Sequence, residues 1–210
     1  MDTVIDLTQT LTHESLGYPG TVRAWTAKRQ EVGCPEATLT RFSDFDAHAG
    51  THIDAPLHFA PGGTDVAGLP LRLYPATLVD VAGTRIEVAD VPEDCAGRAV
   101  LFSTGWEDRA GTAAYFDGFP SISPDAAKRL VERNVGLVGL DTPSADAADA
   151  HPTYPAHVTL CGAGVPIVEG LVNLRALRSV TGEILLAAFP LKLADVEGSP
   201  IRAVAVIRKA

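Results

Sequence analysis

Three of the chain's six histidines fall within eleven residues of one another, in the segment Phe45-Asp46-Ala47-His48-Ala49-Gly50-Thr51-His52-Ile53-Asp54-Ala55-Pro56-Leu57-His58-Phe59. A helix here would set His48 and His52 on one face and turn Asp54 away from them, and Gly50 and Pro56 both oppose a helix. An extended chain gives positions 48, 52 and 54 the same parity, so that all three project to one side. Two imidazoles and one carboxylate suit a borderline divalent ion such as zinc or manganese, and three protein ligands leave coordination room for water. Such an ion lowers the pKa of water to about 7 and polarises a carbonyl oxygen, which is the chemistry of hydrolysis. The competing reading is a sheet surface whose histidines bond to backbone or solvent.

His58 lies four residues past Asp54 and beyond Pro56, where the chain can turn and bring its ring over the ion from another side. An imidazole titrating near neutrality is suited to take a proton from water and deliver it to a leaving nitrogen or oxygen. The alternatives are a fourth ligand or a residue that orients a ligand. Downstream, Glu169 follows the apolar run Pro166-Ile167-Val168, where a charge is costly to bury unless it is paired or metal-bound. His157 is a second candidate, and Cys161, one helical turn later, is an alternative ligand ranked below it.

The elements that must position these groups can be read in outline. Short β-branched runs at Val4 to Leu7, Thr38 to His48, Thr77 to Val81, Ala99 to Ser103, Leu137 to Asp141, Glu183 to Phe189 and Ile201 to Ile207 predict strands. A helix is signalled by Ser123 as N-cap, Pro124 at its first position, Ala127, Leu130, Val131 and Asn134 at helical spacing, and Gly136 beyond its end. Shorter helices are predicted over Pro155 to Cys161 and Leu171 to Leu177. Many strands and few helices without βαβ alternation predict a mixed α/β domain spanning 1–210 rather than a doubly wound sheet.

Composition narrows the function classes. A net charge of -9 with no Lys/Arg cluster disfavours nucleic acid and anionic membrane as partners. No apolar run is long enough to span a bilayer, and the start Met1-Asp2-Thr3-Val4-Ile5-Asp6 lacks the features of a secretory signal, so a cytoplasmic location is expected. Cys34, Cys95 and Cys161 form no CxxC pair and read as free thiols. GxSxG, HExxH and Walker motifs are absent, and Gly162-Ala163-Gly164 reads as a turn.

The run His48-Ala49-Gly50-Thr51-His52-Ile53-Asp54-Ala55-Pro56-Leu57-His58-Phe59 resembles the HxGTHxDxPxHF signature of the metal-dependent cyclase-like hydrolases, which include bacterial kynurenine formamidase and isatin hydrolase. Tyr18-Pro19-Gly20, Leu140-Asp141-Thr142-Pro143-Ser144, Ile167-Val168-Glu169-Gly170-Leu171 and Phe189-Pro190-Leu191-Lys192-Leu193 are similar to later landmarks of that family. The resemblance implies a swivelling β/β/α fold, a small-molecule substrate and a homodimer or higher homo-oligomer. In the formamidase branch it implies two ions: His48, His52 and Asp54 on the first, Asp54 bridging to a second held by His157 and Glu169, with His58 as acid/base. The isatin hydrolase branch implies one manganese on the first three ligands. Tyr18 falls where formamidases carry an aromatic that packs on the substrate, and N-formyl-L-kynurenine is the first expected substrate, with isatin or another cyclic amide or a lactone next and a non-catalytic metal-binding protein of the same fold as the rival reading. Thr21 and the Ala/Asp/Pro-rich stretch from Ala145 to Ala156, which also contains His151, depart from the formamidase pattern.

Overall fold

The computed structural model describes residues 2–18, 24–31 and 38–208. Pro19, Gly20, Thr21 and Cys34 lie outside them. The strands are β1 (Thr3–Asp6), β2 (Thr26–Glu31), β3 (Thr38–Ser43), β4 (His52–Asp54), β5 (Tyr74–Asp80), β6 (Arg85–Ile86), β7 (Ala99–Ser103), β8 (Ser121–Ile122), β9 (Leu137–Leu140), β10 (Ile167–Glu169), β11 (Glu183–Ala187), β12 (Gly198–Pro200) and β13 (Val204–Arg208). Among the described residues, two α-helices, α1 (Pro124–Glu132) and α2 (Pro155–Gly162), complete the set with several 3-10 turns.

Nine of these strands form one sheet in the order β1-β13-β11-β5-β7-β9-β10-β4-β12 among the described residues. Its centre, from β5 to β10, is parallel, and both flanks are antiparallel. The separate pair β2-β3 forms a hairpin. The period-two alternation of β7 divides the core: Val100 and Phe102 face α1 and α2 with Leu130, Leu160 and Ile167, while Ala99 and Leu101 join Leu7, Ile53, Val168 and Leu186 on the other side. Ile53 on β4 and Ala205 on β13, far apart in the sheet order, share that second cluster, so the sheet curls towards itself. This mixed, curled sheet with few helices is the expected β/β/α class.

Ser123 accepts a hydrogen bond from the Ala126 N–H and Pro124 opens α1, as the sequence predicts. The helix stops at Glu132, however, and Asn134 adopts the left-handed conformation with φ 55° rather than extending it. The helix expected over Leu171 to Leu177 is a 3-10 segment, Leu174–Ser179, because Asn173 adopts the left-handed conformation with φ 60° and separates Leu171 and Val172 from it. The strand expected to reach His48 ends at Ser43, where Asp44 turns the chain with φ 53°. The three-residue strands β4, β10 and β12 are too short to declare themselves by periodicity, yet they carry the site. No helix among the described residues is long and apolar enough to cross a membrane.

Candidate metal centre

Strand β4 lies between β10 and β12, with His52 opposite Glu169 on one side and Pro200 on the other. Directly opposed residues share a face. His52 and Asp54 therefore point the same way as Glu169, while Ile53 and Val168 pack into the core behind them. The His52 Nε2 is 3.4 Å from a Glu169 oxygen and 3.5 Å from Asp54 Oδ1. Its Nδ1 faces the Gly50 carbonyl at 3.0 Å, which leaves Nε2 to face the carboxylates.

His48 reaches the same point by a different route. The parity argument places it on an extension of β4, but Gly50 has φ 59° and breaks the strand, so a turn delivers the ring. The His48 Nδ1 sits 2.9 Å from Asp54 Oδ1. The fit leaves no room for a side chain at position 198: a Cβ on Gly198 would come within 2.8 Å of the His48 ring. Pro56 opens a 3-10 turn that folds His58 back, its ring centroid 4.4 Å from that of His48 and 5.8 Å from that of His157.

Helix α2 supplies His157, whose Nε2 stands 3.4 Å from Asp54 Oδ2 and 3.2 Å from Glu169 Oε1. What aims it is Asp146, a buried residue that the sequence reading did not single out. Its carboxylate accepts hydrogen bonds from the Ala156 N–H, the His157 N–H and the His157 Nδ1, at 2.9, 2.9 and 2.8 Å. The first two bonds cap α2 in place of Tyr154, whose side chain does not. The third leaves Nε2 free towards Asp54 and Glu169.

The electrostatics are those of a cation site. Burial works against charging His52, His157 and His48, but the carboxylates beside them outweigh it. His48 is pushed up to about 9, and the other two are also raised, His157 well above the usual value. Burial likewise favours neutral carboxyls, yet the histidines hold Asp54 and Glu169 below the usual range. The carboxylates and the rings thus stabilise each other's charged forms, a task a divalent ion performs directly. Asp54 Oδ2 is buried with no hydrogen-bond partner among the described residues. An orphaned carboxylate oxygen of this kind costs free energy unless a cation meets it. Ligand atoms of His52, Asp54 and Glu169 lie within 4.8 Å of one another, as do those of His48, Asp54 and His58. The donor set therefore fits divalent ions, with Asp54 common to both groups.

His58 differs from its neighbours. Burial lowers its pKa, against the pull of Asp54 and Glu169 and with the help of His48 and His157, which favours the neutral imidazole. His58 is thus brought to the centre in a state able to accept a proton, and close enough to serve as a ligand.

His151 is exposed and lies outside the centre, so His157 is the histidine that the fold brings to Glu169. Cys161 is buried in the core with its thiol pushed up to about 12 by burial, which keeps it protonated and a poor ligand. Tyr18 lines two adjoining cavities, its ring 6.2 Å from Phe116. One, of about 270 Å³, holds the candidate ligands together with His58, Phe59 and Tyr154. The other, of about 310 Å³, is lined by Gln9, Leu11, Tyr115 and Phe116 among others.

Residues 5–147 match the model of the Cyclase family. A kynurenine formamidase from Salinibacter ruber is 33% identical over 212 residues, covering 96% of each chain. One from Geobacillus thermodenitrificans is 32% identical over 97% of each chain. Among solved structures, isatin hydrolase A from Labrenzia aggregata, bound to benzyl benzoate, superposes with a TM-score of 0.83 at 27% identity, over 99% of this chain and 94% of that one.

Proposed function

This chain belongs to the Cyclase family, as a hydrolase of carbon–nitrogen bonds other than peptide bonds, and from that premise we propose that it is an arylformamidase. N-formyl-L-kynurenine is the first substrate to test. The observation that carries the reading is Asp54, one oxygen of which faces His48 and His52 while the other, without a hydrogen-bond partner among the described residues, faces His157.

In this reading His48, His52 and Asp54 hold one zinc or manganese ion, and Asp54, His157 and Glu169 hold a second. When bound, such ions supply Lewis acidity towards a carbonyl oxygen and make water more acidic. Tyr18 packs on the aryl ring at the wall of the cavity. His58 takes a proton from the attacking water at a ring nitrogen and delivers it to the amide nitrogen as the C–N bond breaks. Formate and a neutral arylamine leave, and one proton is released to solvent. In this reading the protein acts in the cytoplasm as a homodimer or higher homo-oligomer, as the family resemblance implies.

A second reading, hydrolysis of a cyclic amide such as isatin at a single ion, is favoured by the structural likeness to isatin hydrolase. One experiment separates them. Metal analysis of protein saturated with zinc or manganese should give two ions per chain, falling to one in Glu169→Ala, with chelation abolishing formamide hydrolysis and metal restoring it. A wild-type ratio of one under saturation favours the isatin reading, and full activity in metal-free protein overturns both.

A further inference from the structure

Tyr154 is the residue of the metal cavity whose backbone local folding explains least. Its φ of 36° and ψ of 60° lie in the left-handed region, which a bulky L side chain avoids, and Pro155 further restricts the residue before it. The same chain places asparagine at two other such positions, Asn134 and Asn173, with φ 55° and 60°. What Tyr154 adds that asparagine would not is a ring. That half-buried ring stands 5.3 Å from Phe59 and 6.4 Å from His157, centroid to centroid, within the range of edge-to-face aromatic packing. It lines the cavity that holds Tyr18, His58 and Glu169. The segment bearing it is tied down by Asp146, which accepts the Ala156 and His157 N–H groups. The ring is therefore held at a fixed place beside the candidate ligand His157.

We propose that Tyr154 is a specificity-determining residue: its ring, backed by Phe59, is a wall on which the aromatic ring of an aryl amide packs while the amide lies at the candidate metal centre. Strained backbone persists at functional positions because the surrounding structure over-determines it, and here it presents an aromatic wall to the cavity. The consequence is selection of planar aryl amides over alkyl amides of similar length. This inference rests on the aryl amide reading above and adds a second aromatic wall to that of Tyr18.

The test compares zinc-loaded wild type with Tyr154→Ala, Tyr154→Phe and Tyr154→Gly. The probes are formanilide and N-butylformamide for turnover, and the arylamine 2-aminoacetophenone for binding by calorimetry. Loss of a well-packed aromatic wall should raise KM for formanilide about tenfold and weaken the arylamine by a similar factor. The KM for N-butylformamide and the zinc content should stay as in wild type. Tyr154→Phe should stay within about threefold of wild type, since it keeps the ring. Tyr154→Gly should match Tyr154→Ala in selectivity while melting at a higher temperature, because it relieves the left-handed backbone.

The proposal is overturned if Tyr154→Ala keeps the wild-type preference between the two formamides, if it loses zinc, or if Tyr154→Gly recovers the aryl preference without a ring. Arylamine binding that depends on Tyr154 in a protein that hydrolyses neither formamide sinks the formamidase reading and leaves this one standing. Formamide hydrolysis with binding indifferent to Tyr154 does the reverse.

Discussion

His48, His52 and Asp54 come from seven consecutive residues, whereas His157 and Glu169 come from a helix and a strand that meet only in the folded chain. The first group is arranged locally, by a turn at Gly50 and three residues of strand. The second depends on Asp146, which lies on neither α2 nor β10 and holds the start of α2 and the His157 ring together. Both sides need the strands around β4, but only the second also hangs on one buried carboxylate. The two sides of the centre should therefore fail separately, and the loop around Asp146 is where one can be disturbed without the other.

The largest effect should come from His58, which faces both sides. His58→Ala should lower kcat for an aryl formamide by roughly 10²- to 10⁴-fold, the usual contribution of a positioned acid/base, with full metal content. An activated ester should suffer less than the amide, because its leaving group needs no proton. Loss of metal instead would make His58 a ligand and erase the contrast between the sides.

Next in size is Asp146→Ala, which should weaken binding of one ion about 10- to 100-fold while the His48 side binds as before. Titration calorimetry on the metal-free protein should resolve the two sites, and Asp146→Asn should recover part of the loss. Equal weakening at both sites would mean the two sides are not independent. Smaller still, Tyr18→Ala should raise KM for aromatic substrates by about three- to tenfold with little change in kcat, as expected of uniform ring packing. An unchanged KM removes Tyr18 from the substrate's path.

The last effect is on stability rather than on activity or affinity, and appears only without metal. Although burial disfavours its charge, Asp54 raises His48 from 6.5 to about 9. A raised histidine contributes stability that is complete below its unfolded value, and that contribution is lost as pH rises through the folded one. Metal-free protein should therefore grow easier to unfold with urea between about pH 6.5 and pH 9, a slope that saturating zinc should flatten because a ligating imidazole is already neutral. A flat profile in metal-free protein would count against the counter-charge role of His48.

The sequence made the local side readable and the other side much less so. Gly50, Pro56 and the spacing of His48, His52 and Asp54 carry their geometry in the chain itself, although parity misplaces His48 because Gly50 interrupts the strand it assumes. Glu169 could be suspected from the cost of a charge after an apolar run. Asp146 could not, since its partners are ten and eleven residues away on a helix whose packing is a property of the whole fold. Tyr154 was hidden for a related reason: Pro155 marks a helix start, where a polar capping side chain is expected, and Asp146 supplies the cap from elsewhere. Of the strands, β7 reads directly because it is buried on both faces, while β4, β10 and β12 are too short to show any period.

The position of β4 in the sheet also sets an order of events in time. The residues of the local side leave the ribosome early, at about 5 to 20 residues per second, but β4 pairs only with β10 and β12, which are made much later. Gly198, against which the His48 ring rests, is among the last parts of the sheet to be synthesised. A nascent chain thus displays the whole histidine motif for seconds before its flanking strands exist. Any ion met in that interval would meet flexible side chains rather than the finished candidate site, whose geometry exists only after synthesis has passed β12.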